Sequence, residues 1–382
     1  MTGGPGGREP ADGLGDRRDG ESGAGGRSAG RDETPVADGG ADGTVRTALC
    51  DRLGIEHPIV QAPIGSATTP ELAAAVSEVG ALGTLAVTWR GLPETRAAID
   101  ETAGRTDRPF GVNLVLDDAA KAVPTEEHLE TCLAAGAPLV WFSFGDASEY
   151  VGRVHDAGAL AAVTAADAGE ARRATEAGAD LVVAQGWEAG GHVQGDVATM
   201  PLVPRVADAV DVPVVAAGGI GDGRGVAAAL ALGADGAALG TRFVATEEAD
   251  AHPEYQDRVV AADETATEYT ELFDKGWAGR HHRVLRNETV EAWEDAGRPG
   301  PGQRPGETDV VAAGDDRQPI TRYDEALATR AVKGRVEEMA LYAGQSAGLA
   351  YDVHPARLVV ATLVAETNRA LDRVDCLRGG DD

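Results

Sequence analysis

"PVVAAGGIGDGRGVAAALALGADGAALGTRF" occupies residues 213–243. It opens on an apolar run, turns at Gly218-Gly219, passes through the Ala-rich "DGRGVAAALALGAD" (222–235) and returns as a second apolar run that ends at Gly240-Thr241. A run that is apolar at every position, not at alternate ones, marks a parallel strand buried on both faces. The Ala-rich spacer has helical spacing, and its terminal glycine suits a left-handed C-cap. Strand, helix and strand in this order make a β/α repeat.

Working outward, six more runs of this kind precede it: "PIVQAPI" (58–64), "LGTLAV" (82–87), "FGVNLVL" (110–116), "LVWFSFG" (139–145), "LAAVTA" (160–165) and "LVVAQG" (181–186). Spacers such as "PELAAAVSEVG" (70–80) and "ADAGEARRATEAGAD" (166–180) separate them. Eight strand–helix alternations predict an α/β fold, a (β/α)8 TIM barrel over residues 45–246. A doubly wound open sheet is the competing arrangement; against it, the first strand is not followed by a GxGxxG turn, and "GIGDGRG" (219–225) lacks that spacing. Residues 1–44, rich in Gly, Asp, Arg and Ser with little to bury, are expected to form a disordered acidic tail. Residues 247–375 read as a helical lid or subdomain with closing helices, interrupted by a mobile Gly/Pro/Asp loop at 296–318.

The chain carries 63 acidic and 34 basic residues, and its lysines are Lys121, Lys275 and Lys333. A net charge of −29 repels nucleic acid and anionic membranes. It fits an acidic enzyme kept soluble by charge, or adaptation to a high-salt cytoplasm where screening makes such a density tolerable; the second is the expectation here. No stretch approaches a membrane span and no secretory h-region is evident, so the expected location is cytoplasmic. Cys50, Cys132 and Cys376 are too scattered for a disulfide framework or a CxxC metal site.

A barrel does its chemistry at the C-terminal ends of its strands. Those ends carry Gln61-Ala62-Pro63, Asn113, Ser143, Gln185 through His192, Gly218-Gly219 and Gly240-Thr241. The set has no carboxylate cluster and no His/Cys grouping with metal spacing, so no metal is expected. Asn and Gln amides both donate and accept, which suits the edge of a heterocycle. Gly218-Gly219 and Gly240-Thr241 lie on consecutive strands where barrels bind phosphate, although one Gly-Gly pair alone would mean only a tight turn. In "AQGWEAGGH" (184–192) a histidine follows three glycines just past a strand; an imidazole near its ordinary value of about 6.5 suits proton abstraction. His57 starts a strand, and His281 and His282 read as solvated positions in a polar helical stretch. Trp187 is equally a pocket wall or packing beneath the loop.

"QAPI", "GVNL", "AQGWEAGGH", the 213–243 stretch and the late "GQSAGLAYDVHPA" (344–356) together resemble the nitronate monooxygenase family, formerly the 2-nitropropane dioxygenases, over residues 47 to 365. The resemblance implies an FMN-dependent barrel that oxidises alkyl nitronates with O2 to a carbonyl compound and nitrite. It implies His192 as the base for neutral nitroalkanes, and FMN contacts at Gln61, Asn113, Gln185, Gly190, Gly219, Gly240 and Thr241; Ala62, Pro63 and Gly218 flank them. Ile64 stands where Met is common. Flavin-dependent enoyl reductases share this fold and a similar motif, but would have to admit a reduced nicotinamide and an acyl carrier. A Cys-nucleophile nucleotide dehydrogenase is excluded, because no cysteine follows the sixth strand. A non-catalytic flavin-binding barrel and a homodimer remain open.

Overall fold

The computed structural model describes Met1 and residues 45–121, 123–314 and 317–378. The expected tail, apart from Met1, lies outside them. The eight apolar runs form eight parallel strands: β1 (Ile59–Gln61), β2 (Gly83–Ala86), β3 (Phe110–Val115), β4 (Leu139–Ser143), β5 (Leu160–Ala165), β6 (Leu181–Gln185), β7 (Val214–Ala217) and β8 (Gly236–Leu239). Each pairs with its neighbours in chain order, and β8 pairs with β1. The ring closes where Val60 bridges Leu82: Gln61 N–H donates to the Leu82 carbonyl (2.8 Å), and Leu82 N–H to that of Ile59 (2.9 Å). The fold is a (β/α)8 barrel.

Its interior is packed by Val60, Leu82, Leu139, Trp141, Leu181, Val183 and Val215, with Ala162, Ala217 and Ala238 making room for the indole of Trp141. The N-terminal mouth is plugged by the short helix Ala48–Leu53, whose Leu49 and Leu53 join this cluster. The spacers fold as helices with defined ends. Asp167 and Asp222 cap Ala168–Glu176 and Gly223–Ala231 by accepting two backbone N–H groups each. Gly178 (φ 97°) and Gly233 (φ 99°) end them in the left-handed region that a side chain disfavours.

The helix completing the eighth unit does not follow β8 directly. Ala356–Arg378 packs against Gly223–Ala231 and Pro70–Glu78 on the outer face of the barrel. Everything between β8 and this helix is an excursion from the C-terminal mouth. Its two ends lie side by side: Thr246 bridges His354, and Glu247 N–H donates to the His354 carbonyl (3.1 Å).

The excursion is less helical than expected. It contains helices Pro253–Ala261 and Glu288–Asp295, but two three-stranded antiparallel sheets draw four of their strands from stretches read as helical and one from the stretch read as a loop. One joins Thr267–Thr270, His282–Leu285 and the barrel's own Gly191–His192; the other joins Pro319–Thr321, Val310–Ala313 and Lys333–Gly334. "TEYT" and "HRVL" place β-branched and aromatic residues between polar ones, a pattern suited to a half-buried sheet. The 296–318 stretch is not a bare loop. Buried Arg304 ties it down, donating to the Leu272 carbonyl (3.0 Å), Asp274 (2.8 Å) and Glu307 (2.7 Å). No helix among the described residues is long and apolar enough to cross a membrane.

Candidate active site

The strand ends and the excursion enclose a cavity of about 510 Å³. That volume suits a mononucleotide or a drug-sized ligand. Ala62, Pro63, Asn113, Gln185, Gly190, His192, Gly218, Gly219, Gly240 and Thr241 all line it. Gln61 does not. Its side chain is fully buried in the barrel seam, where Oε1 accepts from Thr84 N–H (2.9 Å) and Nε2 donates to the Ala62 carbonyl. The amide expected to meet a ligand instead helps close β1 against β2.

On one side of the cavity, three glycine-bearing turns converge. Gly218 (φ 102°) and Gly219 (φ 71°) follow β7, Gly240 and Thr241 follow β8, and Gly344 arrives from the excursion, its N–H donating to Thr241 Oγ1 (2.9 Å). A Cβ on Gly190 would stand 2.5 Å from Gly344 N, so the two segments touch only because both lack side chains. The N–H groups of Gly219 and Gly240 donate to no protein acceptor among the described residues. Free backbone donors beside a hydroxyl in a glycine cradle can receive a phosphate without a lysine or arginine. Across the cavity, Asn113 Nδ2 donates to the Trp141 carbonyl (2.9 Å) and Ser143 Oγ (3.2 Å), leaving Oδ1 as the atom it can offer a ligand. Cavity size, open cradle and amide wall together fit an FMN.

Gln185 holds the motif loop in place. Its Nε2 donates to the His192 carbonyl (3.3 Å), and its Oε1 accepts from Gln194 N–H (2.9 Å). Gln194 Oε1 in turn accepts from the N–H of Phe144 (2.8 Å). Phe144 sits at φ 60°, uncommon for a residue with a side chain, at the cavity edge after β4. Trp187 packs beneath the loop, against Tyr269 and under the Arg283 guanidinium, and does not line the cavity.

The His192 ring lies on Trp277 (centroids 4.3 Å apart), with His282 and Tyr342 nearby. Burial, with smaller contributions from His282 and Arg280, pushes its pKa down to about 3. The expectation of an ordinary imidazole is corrected by this desolvation. His282 is corrected too. It is buried in a strand, its Nε2 accepting from Phe273 N–H (3.2 Å) and its Nδ1 donating to the Arg280 carbonyl (3.0 Å).

Sequence reasoning missed Glu325, Trp277, Tyr342 and Lys275, all of which line the cavity from the excursion. Glu325 Oε2 lies 3.7 Å from His192 Nε2, and neither atom has a hydrogen-bond partner among the described residues. Burial, then the charge of Asp324, pushes the Glu325 carboxyl up to about 7. With His192 neutral, their approach is not an ion pair. No cysteine lines the cavity; Cys50 and Cys132 are buried elsewhere, and burial pushes the Cys132 thiol up to about 12.

Residues 46–366 match the family model described as nitronate monooxygenase. The chain is 38% identical over 254 residues, 66% of its length and 69% of the relative's, to (3aS,4S,5R,7aS)-5-hydroxy-7a-methyl-1-oxo-octahydro-1H-indene-4-carboxyl-CoA dehydrogenase of Rhodococcus jostii (strain RHA1). Among solved structures it resembles FabK from Thermotoga maritima, with a TM-score of 0.75 and 37% identity over 88% of this chain and 99% of that one. It also resembles the nitroalkane oxidase from Streptomyces ansochromogenes, with a TM-score of 0.71 and 34% identity over 86% of this chain and 100% of that one.

Proposed function

The chain belongs to the nitronate monooxygenase family, and from that premise we propose that it oxidises alkyl nitronates with O2 to a carbonyl compound and nitrite, His192 serving as base when the neutral nitroalkane is the substrate. As a member of the family it is a flavin-dependent oxidoreductase. The observation that carries the finer reading is the His192 imidazole lining a cavity that also holds an open glycine cradle. In this reading Gly218, Gly219, Gly240 and Thr241 would hold the phosphate of an FMN, and Asn113 and Gly190 would be the residues offered to the rest of it. A bound flavin supplies the acceptor for substrate electrons and passes them to O2. The protein orients the reactants, keeps the site dry through Trp277, Phe144 and Tyr342, and takes the α-proton on His192.

A second reading is an oxidoreductase acting on an acyl thioester with a reduced nicotinamide, supported by the likeness to FabK and to the CoA dehydrogenase. Against it stands the cavity wall, whose lining cation is Lys275, already donating to Thr321 Oγ1 (2.7 Å) and the Glu307 carbonyl (2.5 Å). A highly anionic CoA or carrier protein gains little there.

The test is oxygen uptake by the purified flavoprotein with propyl-2-nitronate and with nitroethane. His192→Ala is expected to retain flavin, to lose roughly 10²–10⁴-fold on nitroethane as a missing general base does, and to lose far less on the preformed nitronate. Equal nitroethane turnover by mutant and parent would sink the role of His192. Flavin bleached by NADH or NADPH, without nitronate-dependent uptake, would favour the second reading.

A further inference from the structure

His192 as it stands is a poor base. Its imidazolium would be desolvated, and the neighbours His282 and Arg280 oppose rather than favour a positive charge. A compensating carboxyl lies within reach, that of Glu325. Glu325 is placed there by two devices independent of its own side-chain chemistry. Its backbone is clamped, Glu325 N–H donating to the Lys275 carbonyl (3.1 Å) beside the Lys275–Asp324 bridge. Its side chain lies over Gly276 (φ 124°), where a Cβ would stand 2.4 Å from Oε1 and 2.7 Å from Cδ. The Tyr342 hydroxyl also donates to the Glu325 carbonyl (3.1 Å). Together these aim Oε2 at His192 Nε2, and a closure of about half an ångström brings the 3.7 Å pair into hydrogen-bond range.

Building on the nitroalkane reading, we propose that Glu325 is the positioning residue of His192: its carboxylate fixes the Nε2–H tautomer so that Nδ1 takes the substrate proton, and its protonation withdraws that capacity. The unpartnered buried nitrogen of His192 is Nε2, on the Glu325 side; Nδ1 is the other ring nitrogen of a residue that lines the cavity. When Glu325 is ionised, Nε2–H points at the carboxylate and the lone pair stays on Nδ1. When Glu325 is protonated, its O–H donates to Nε2, the ring proton moves to Nδ1, and that nitrogen cannot accept. The hydrogen bond at one ring nitrogen decides the chemistry of the other. In the productive form the substrate Cα–H bond breaks, the proton joins Nδ1, and the electron pair spreads onto the nitro group. The imidazolium so formed is paired with the Glu325 carboxylate.

The groups facing Glu325 from the packed elements are His192, Lys275, Asp324 and the Tyr342 hydroxyl, with His282 and Arg280 behind His192. Lys275 directs its ammonium to Glu307 and Thr321, while burial, then the charge of Asp324, lets Glu325 hold its proton well above the usual carboxylate range. The ionised carboxylate also repels a nitronate anion. The same group therefore favours the neutral substrate as pH rises and disfavours the anionic one.

The experiment compares wild type with Glu325→Gln and Glu325→Asp as flavin-loaded proteins. For nitroethane, wild-type kcat/KM is expected to rise with pH through a limb near 7. Glu325→Gln loses that limb and falls roughly 10- to 100-fold, the usual cost of removing the group that orients a working histidine; Glu325→Asp restores part of it. For preformed nitronate, wild-type kcat/KM falls through the same limb and Glu325→Gln is flat. Independently of turnover, ¹⁵N-histidine NMR of wild type is expected to report His192 as the Nε2–H tautomer above pH 8 and as Nδ1–H below pH 6. A wild-type pH limb surviving in Glu325→Gln, or an Nδ1–H tautomer throughout, overturns the proposal. If no protein turns over a nitroalkane, the functional reading fails and the NMR tautomer alone decides the role of Glu325.

Discussion

His192 and His282 sit in one buried cluster, yet hydrogen bonding separates their work. Both nitrogens of His282 are engaged, which holds the neutral Nδ1–H form, and burial pushes its pKa down to about 4 against the opposing pull of the Arg280 carbonyl. The folded state refuses protons at His192 and His282 that an unfolded histidine takes up near pH 6.5, so their contribution is present above that value and lost as pH falls toward about 4 and about 3. Glu325 acts in the opposite sense. Raised to about 7, it holds a proton that the unfolded chain loses above about pH 4.5, so its contribution grows as pH falls through that window. Two histidines outweigh one glutamate, so between about pH 6.5 and 4.5 these three groups together lower stability as pH falls. Denaturant unfolding at pH 5, 6 and 7.5 checks this. His282→Gln is expected to lower stability at pH 7.5 but to flatten the acid limb; a limb unchanged in the mutant would place its origin elsewhere. Neither histidine environment was legible in sequence. "HHRVL" reads as polar because its burial is created by a strand pairing with Gly191–His192, some ninety residues earlier. Glu325 is one acid among 63, and nothing local distinguishes it.

At the scale of elements, the barrel was readable because each strand is covered on both faces and so writes an unbroken apolar run. All eight runs became strands with ends within a few residues of those expected. The excursion was not readable, since its strands are two to four residues long and draw their partners from distant segments. The final helix presents a sharper dependence on local shape. Gly223 opens its helix against Ala356–Arg378, its N–H donating to Glu366 (3.0 Å), and an added Cβ would stand 2.3 Å from Thr367 N. Backbone cannot yield that distance cheaply. Gly223→Ala is therefore expected to destabilise by about 1–3 kcal/mol through overpacking, whereas in an exposed helix interior the same change would stabilise. A melting temperature equal to or above the parent's would contradict this packing. The neighbouring Gly225→Ala, whose Cβ would meet the Ile220 side chain at 3.1 Å, is the milder comparison.

Taken whole, the molecule carries a net charge of −29 on 382 residues. Self-repulsion at that level opposes compaction, and the Debye length shrinks from about 10 Å at 0.1 M salt to about 3 Å at 1 M. Adaptation to high salt predicts that 1–2 M KCl raises the melting temperature; each kcal/mol of relieved repulsion is worth about 1–2 °C in a chain of this size. A melting temperature unchanged between 0.1 and 2 M KCl would leave the charge as a solubility device only.

The neck at Thr246 and His354 has a consequence for how such a protein diversifies. A segment that departs and returns at one point is a cassette, and its contents can be recombined without reopening the ring of strands. The cassette brings Lys275, Trp277, Glu325 and Tyr342, together with the Gly344 edge of the cradle, while His192 and the other glycine turns stay with the barrel. The cavity is thus assembled from two pieces of chain: the barrel holds the histidine, and the cassette supplies its neighbours. Replacing that one segment would change each of these neighbours of the histidine and leave the ring of strands intact.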